Sequence, residues 1–358
     1  RASNDFEDLV QLDAVAICVP TPIDKYKYPN TEYIESTTRE IAQRLHQGML
    51  VVLESTTYPG TTEEVLKPLL ESTGLVCGQD FFLACSPERV DPGNKQYKTK
   101  NTPKVVGGVT KACTQVAAAL YRNVLEGEVF TASSPKVAEM EKIYENVFRH
   151  VNIALANEMA ILCNKMGIDV WEVIEAAKTK PYGFMPFYPG PGIGGHCIPI
   201  DPFYLVWKAR EYDYHTRFIE LAGEINDYMP SYTVEKAISI LNKAAKPLNR
   251  SRIFILGVTY KKDIDDLRES PVLKIIETLE QRQADIKYSD PYIPSFQMKD
   301  REYESVEVTK EELMAADLVL IATDHTAFDY EMIYTYSSKI LDTRNALKDK
   351  QDQKIEKL

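Results

Sequence analysis

The sequence predicts an α/β protein in which two Rossmann-like α/β domains are joined by a central helical domain with one long helix. Three observations carry that expectation. Short apolar runs of strand length alternate with helical patterns at both ends of the chain, which implies parallel strands with crossover connections. A long stretch near the middle, free of Pro and Gly, keeps its apolar residues at three-to-four spacing. The 358 residues, 44% hydrophobic and 27% charged, suit a globular chain of roughly two or three domains.

Along the chain, Asp13–Pro20 reads as a buried strand ending at proline, followed by a helix over Thr31–Leu45 and a strand at Met49–Leu53. A helix at Thr61–Leu70 and strands at Phe81–Cys85 and Val105–Val106 complete the first α/β stretch, residues 1–133. From Ser134 the texture changes. Lys136–Lys165 carries Met140, Ile143, Tyr144, Val147, Val151, Ala154, Leu155 and Leu162 on one apolar stripe, a single long amphipathic helix. Helices at Val170–Ala177, Phe203–Glu211 and Phe218–Tyr228, continuing to about Ala245, fill residues 134–246 around the Pro/Gly-rich loop Pro181–Gly195. After Lys246-Pro247-Leu248-Asn249 the α/β rhythm returns over 247–358. Strands are expected at Arg252–Gly257, Ile286–Ser289, Leu318–Ala322 and Lys339–Asp342, with helices at Pro271–Gln281 and Lys310–Ala315.

Composition narrows the function. Lys plus Arg number 42 against 53 Asp plus Glu, a net charge of −11, so the broad basic surface that dominates nucleic-acid affinity is missing. The longest apolar runs, Ala14–Pro20 and Leu318–Thr323, fall far short of the ~20 residues a membrane helix needs, so no membrane partner is expected. The chain opens at Arg1 and Asn4-Asp5-Phe6-Glu7-Asp8, neither a signal nor a transit peptide. Six scattered cysteines (Cys18, Cys77, Cys85, Cys113, Cys163, Cys197) form no C-x-x-C pair and no zinc spacing, so no metal site is expected. Most read as small core residues, Cys18 among them, and free thiols in a long chain suggest a reducing, cytoplasmic setting.

Four segments could carry chemistry. Gly190-Pro191-Gly192-Ile193-Gly194-Gly195 has the letters of a dinucleotide fingerprint, but it follows a segment with Pro186 and Pro189 rather than a strand. It reads instead as a loop whose glycines let backbone approach a ligand closely. The loop leads into His196-Cys197-Ile198-Pro199-Ile200-Asp201-Pro202, where Cys197 is either a nucleophile at a loop end or a packed thiol. Asp201, ahead of Pro202, reads as a helix N-cap. Lys142 and Asn146 share a helix face with Arg149 nearby, a polar stripe whose bland explanation is solvation. Glu54-Ser55-Thr56 and Ser86-Pro87-Glu88 each follow a strand, at the carboxyl edge where open α/β sheets bind ligands, though turn chemistry alone would explain them.

Together these segments, with Val19-Pro20-Thr21-Pro22 and the run from Gly257 through Tyr260-Lys261-Lys262-Asp263-Ile264-Asp265-Asp266 to Arg268-Glu269-Ser270, make the chain resemble the UDP-glucose/GDP-mannose dehydrogenase family over nearly its whole length. The resemblance is closest to the branch that oxidises UDP-N-acetylglucosamine for bacterial surface polysaccharides and lipopolysaccharide. The UDP-N-acetylmannosamine branch comes next, then plain UDP-glucose. It implies an NAD-binding first domain, a homodimer through the central helix and a UDP-binding last domain. It further implies a four-electron oxidation of a sugar 6-hydroxyl to a carboxylate by way of a cysteine thiohemiacetal and thioester. By the same resemblance Cys197 is the thiol, while Lys142, Asn146 and Asp201 surround the reacting oxygen. Glu88 and Thr56 hold water, cofactor or substrate, and Glu88 could serve as the base for hydrolysis. Thr21, Thr56 and Arg268 meet the cofactor. Tyr188, Gly192, Gly194, Gly195, Lys261 and Arg344 meet the sugar nucleotide, alongside Glu88, Lys142 and Asn146.

Two departures bear on the reading. UDP-glucose enzymes commonly carry Lys just before the aspartate of the cysteine motif, where this chain has Ile200. With Phe184–Tyr188 this suggests a larger, more apolar surround, suited to a 2-acetamido sugar. The family's opening strand, its G-x-G-x-x-G and its ribose-binding acid match nothing in these residues, so the first domain is expected to lack its opening βα unit. Two rivals remain: a two-electron dehydrogenase of the 6-phosphogluconate or 3-hydroxyacyl type, needing neither a nucleophilic cysteine nor a second α/β domain, and a non-enzymatic sugar-nucleotide-binding fragment.

Overall fold

A computed structural model describes residues 2–24, 26–91 and 94–358. The chain divides into two compact units, Arg1–Phe148 with Ile200–Arg217, and Arg149–Pro199 with Phe218–Leu358. Each is built on its own five-stranded sheet.

In the first unit β1 (Ala14–Ile17), β2 (Leu50–Leu53) and β3 (Phe82–Cys85) are parallel and adjacent in that order, Val15 facing Val51 and Val51 facing Leu83. Helix α1 (Glu32–Ala42) crosses from β1 to β2, and a π-helical turn (Thr62–Leu66) running into α2 (Lys67–Glu71) crosses from β2 to β3. Every residue of β2 is apolar and buried, as a parallel strand covered on both faces requires. Ile34, Ile41, Leu66 and Leu70 close one face over Val51, Leu53 and Leu83.

The next pairing departs from the expected parallel pattern, because β4 (Lys104–Gly108) runs antiparallel to β3. A parallel return needs a helix-length crossover, and the described part of residues 86–103 contains none. Helix α3 (Lys111–Val124) then leads to β5 (Val129–Thr131), parallel to β4. The sequence reading passed over α3, although Thr110 caps it and Cys113, Ala117 and Tyr121 recur one turn apart on its buried face.

Helix α4 (Pro135–Met166) is the long helix, but its buried face differs from the stripe read from the sequence. Met140, Tyr144, Leu155 and Leu162 are exposed, whereas Ala138, Glu139, Ile143 and Asn146 are buried. The carboxylate of Glu139 accepts hydrogen bonds from the amides of Gly60 and Thr62 (2.6 and 2.8 Å) and from the Thr62 hydroxyl (2.6 Å). The start of the π-helical turn, whose own Thr61 makes no side-chain cap, is thus satisfied from a neighbouring helix.

Helix α5 (Val170–Lys178) sets Val170, Trp171 and Ile174 against Ala160 and Cys163 in the second unit. Helix α6 (Asp201–Ala209) belongs to the first unit, and α7 (Arg217–Lys243) continues through Pro230 without a break. The second sheet contains β6 (Arg252–Leu256), β7 (Asp285–Ser289), β10 (Leu318–Ile321), β11 (Ile340–Asp342) and β12 (Ile355–Lys357). They are all parallel, in the order β12-β11-β10-β6-β7. The hairpin of β8 (Ser295–Met298) and β9 (Arg301–Glu304) inserts after β7. Ile253 and Ile255 of β6 face helix α8 (Pro271–Gln281). Phe254 and Leu256 face α9 (Lys310–Ala315) and α10 (Tyr330–Tyr336). Between β6 and β10 the strand order reverses, which makes their carboxyl ends the ligand-binding edge of a doubly wound sheet.

Candidate active site

The first unit gathers one set of the expected residues. Asn146 on α4 donates from Nδ2 to Asp201 Oδ2 on α6 at 2.7 Å, and the two side chains are 3% exposed each. Burial pushes the Asp201 carboxyl up to about 7, even with the Lys142 ammonium and the Asn146 hydrogen bond favouring its charge. Asp201 is therefore not the N-cap expected of it. It is the first residue of α6, Ile200 occupies the cap position without a side-chain bond, and the carboxylate is turned to Asn146 instead. Nor is the Lys142–Asn146 stripe merely solvated, since Asn146 is buried. Ile200 packs in a core with Tyr58, Ile143 and Tyr204, so it does not widen a sugar pocket by exposing an apolar surface.

Thr21, Thr56 and Glu88 follow β1, β2 and β3 at one sheet edge. Thr21 is buried and its carbonyl accepts from the Tyr204 hydroxyl. Next to half-buried Thr56, the buried Thr57 hydroxyl has no hydrogen-bond partner among the described residues. Glu88 Oε1 accepts from the Arg89 and Val90 amides (2.8 and 2.7 Å), while Oε2 lies 3.8 Å from Lys104 Nζ. Arg89 bonds Glu145 and lies 3.3 Å from Glu141, pinning the Glu88 loop to α4 beside Lys142 and Asn146. Sequence reasoning missed Arg89 and Lys104, whose partners are distant in the chain. Cys18 is exposed just past β1, with its thiol 3.7 Å from Glu54 Oε2, and is not the core residue expected; the strand ends one residue before it. Partial desolvation of the thiol first, and then the Glu54 carboxylate, pushes it up to about 11 although the residue as a whole is exposed.

The second unit holds the other set. Cys197 is exposed at the end of the glycine-rich loop. That loop follows no strand, consistent with its not being the dinucleotide fingerprint. The Gly190 amide donates to Asn157 Oδ1 at 3.0 Å, and Asn157 Nδ2 donates to Asn226 Oδ1 at 2.9 Å. What stands against the glycines is protein: a Cβ would fall 2.8 Å from Arg344 Nη1 at Gly190, 2.6 Å from Pro271 at Gly192 and 2.5 Å from Tyr260 at Gly194. Their missing side chains admit neighbouring residues of the same unit. Lys261 and Arg344 follow β6 and β11 at the ligand-binding edge, with Arg344 Nε donating to the Ala322 carbonyl at 2.8 Å. Arg268 is held on the Asp266 carboxylate by Nε and Nη2, and its carbonyl accepts from the Gly195 amide. The Tyr188 hydroxyl donates to Glu175 Oε1 at 2.7 Å while its ring stacks on Trp171.

These features define an α/β protein with two five-stranded sheets, a buried amide–carboxylate pair and an exposed cysteine at the end of a glycine-rich loop. Models of the UDP-glucose/GDP-mannose dehydrogenase family match the chain in three parts: the NAD binding domain over residues 1–125, the central domain over 136–228 and the UDP binding domain over 254–349. It is 37% identical over 325 residues to the UDP-N-acetyl-D-glucosamine 6-dehydrogenase of Pseudomonas aeruginosa, covering 90% of this chain and 76% of that protein. It is also 37% identical to the UDP-N-acetyl-D-mannosamine dehydrogenase of Pyrococcus horikoshii, covering 98% of this chain and 81% of the relative. The solved structure of that Pyrococcus enzyme superposes with a TM-score of 0.89 at 35% identity, covering 99% of this chain and 83% of its own. The chain belongs to the UDP-glucose/GDP-mannose dehydrogenase family, an NAD-dependent oxidoreductase acting on UDP-sugars. The sheet edge carrying Thr21, Thr56 and the unpartnered Thr57 hydroxyl fits the cofactor, although no strand–turn–helix G-x-G-x-x-G lies within these residues.

Proposed function

We propose that the protein oxidises the 6-hydroxyl of UDP-N-acetylglucosamine to the uronic acid, in two steps, for surface polysaccharide synthesis in a reducing cytoplasm. Two NAD would be needed, each accepting one hydride when bound. The observation that carries the reading is the buried Asn146–Asp201 pair beside Lys142, with Asp201 opening a helix four residues after the exposed Cys197.

In the first oxidation the alcohol gives up a hydride and a proton and becomes an aldehyde. Asp201, poised near neutral, can take up that proton, while Lys142 and the Asn146 amide favour a developing oxyanion. The Cys197 thiolate then adds to the aldehyde carbon, and the oxyanion formed collects a proton. Loss of the second hydride together with that hydroxyl proton, which Asp201 can again take up, leaves a thioester. Water, with Glu88 as its base, cleaves it to the carboxylate and returns the thiol. Lys261 and Arg344 supply the local positive charge a diphosphate needs on a chain of net charge −11.

UDP-N-acetylmannosamine is the second reading, favoured by the likeness to the Pyrococcus UDP-N-acetyl-D-mannosamine dehydrogenase in sequence and structure. A homodimer is part of the proposal, because the exposed residues Met140, Tyr144, Phe148, Leu155, Leu162 and Met166 form an apolar ridge along α4. Turnover of a panel of UDP-sugars, with NADH counted per sugar, tests the reading. Two NADH per UDP-N-acetylglucosamine are expected, with UDP-glucose at least about 100-fold poorer in kcat/KM. Acid formation should be lost in Cys197→Ala. One NADH per sugar, or normal acid formation by Cys197→Ala, would overturn it.

A further inference from the structure

Tyr260 precedes Lys261 on the turn after β6, and the mechanism above gives its ring no part. The backbone just ahead of His196-Cys197 rests on that side chain. A Cβ on Gly195 would lie 2.8 and 2.9 Å from the Tyr260 ring carbons Cε2 and Cζ, and one on Gly194 would lie 2.5 Å from Tyr260 Cβ. From another side, the Gly195 amide donates to the Arg268 carbonyl at 3.1 Å, and Glu269 O stands 2.7 Å from the Gly194 Cβ position. Gly195 holds a φ of +87°, a conformation a side chain would strain. Two consecutive glycines fitted to one side chain, Gly195 to its ring and Gly194 to its Cβ, leave this stretch of backbone little room to shift.

The turn that carries Tyr260 is itself anchored. The Asp263 amide donates to Nδ1 of the fully buried His325 at 3.0 Å, and His325 Nε2 lies 3.0 Å from Asp290 Oδ2. Because Nδ1 accepts from an amide, we assign the ring proton to Nε2, where it bonds Asp290. The Thr326 amide and hydroxyl both donate to the Asp263 carboxylate, at 2.8 and 2.6 Å. A plain packing contact would explain one tight glycine. Here two consecutive glycines abut the same residue, Gly195 its ring and Gly194 its Cβ, two positions ahead of the reactive thiol, and that residue sits on a turn bolted to the sheet edge.

We infer that Tyr260 is a positioning residue: its ring, held by the His325–Asp290 anchor, fixes the Gly194–Gly195 backbone and through it the reach of the Cys197 thiol toward the aldehyde. This rests on Cys197 being the nucleophile. A misplacement of about 1 Å can cost on the order of 100-fold in rate.

The test supplies the UDP-sugar 6-aldehyde with NAD in single-turnover oxidation to the acid, using Tyr260→Phe, Tyr260→Leu and Tyr260→Ala. Tyr260→Phe keeps the ring and should stay within about threefold of wild type, whereas Leu and Ala should slow the step about 10- to 100-fold. Hydride transfer from the alcohol and alkylation of the exposed Cys197 by iodoacetamide should stay within about threefold in all three. The alkylation readout also shows that each variant is folded and its thiol accessible, with Tyr260→Leu retaining bulk should Tyr260→Ala unfold. Normal aldehyde oxidation by Tyr260→Ala and Tyr260→Leu, or a Tyr260→Phe as slow as Tyr260→Ala, overturns the positioning role. Loss of acid formation in Cys197→Ala alongside a normal Tyr260→Ala refutes positioning alone. Normal acid formation by Cys197→Ala refutes the nucleophile and the positioning role with it.

Discussion

Asp201→Asn should separate stability from activity. Asp201 is 3% exposed, and burial pushes its carboxyl up to about 7, against about 3.9 in an unfolded chain. A carboxyl raised on folding binds its proton more tightly in the folded state. The folded chain therefore loses stability as pH rises from the unfolded value to the folded one, and the loss levels off above it. The slope approaches about 1.4 kcal/mol per pH unit, so from pH 5 to pH 8 the wild type should lose about 2.7 kcal/mol relative to a variant with nothing to ionise there. Asparagine keeps an oxygen that can accept from Asn146 Nδ2 and places no charge in the core. Urea unfolding of both proteins at pH 5, 6, 7 and 8 should show the advantage of Asp201→Asn growing by that amount, most of it below pH 7. Activity should move the other way, with acid formation falling by about 100-fold or more once the proton acceptor is gone. Parallel stability curves would refute the raised carboxyl, and an active Asp201→Asn would refute its role in proton transfer.

Glu139→Ala should leave the Gly60 amide, the Thr62 amide and the Thr62 hydroxyl without their acceptor, destabilising the first unit by about 3 kcal/mol in urea unfolding; a loss below about 1 kcal/mol would mean that water replaces the carboxylate. Tyr144→Glu combined with Leu155→Glu puts two charges on the exposed α4 ridge and should convert the proposed dimer to a monomer in light scattering at unchanged helix content. An unaltered mass would place the dimer surface elsewhere.

The two helices whose limits the sequence reading reproduced to the residue, α8 and α9, have strong local start signals. Ser270 caps the Val272 amide ahead of Pro271, and Thr309 caps the Glu312 amide. Where the outcome rests on what the chain meets elsewhere, local reading failed. The β3–β4 pairing is antiparallel, and among the described residues no helix bridges it. The hairpin β8–β9, whose Phe296 and Tyr303 rings stack at 4.9 Å, was passed over, its partners being set only once the strands pair. For α4 the three-to-four spacing was right about helix and silent about which side faces the core, since apolar residues line both.

The cysteine motif shows the same limit within a few residues. Asp201 ahead of Pro202 carries the local signature of a cap, yet its carboxylate is turned to Asn146, 55 positions earlier. Ile200, read as an apolar surround for the sugar, packs in a core with Ile143 one turn from that same asparagine. The two facts belong together. With Ile200 as its apolar anchor, the start of α6 is held beside α4, and the price of that anchoring is a carboxylate buried deeply enough to rise to about 7. A lysine in place of Ile200 would have to leave that core or bring water and charge toward Asp201, lowering its pKa. Ile200→Lys should therefore shift the acid limb of the activity–pH profile downward while weakening α6 packing, and an unmoved limb would show that the carboxyl is set by something other than this anchor.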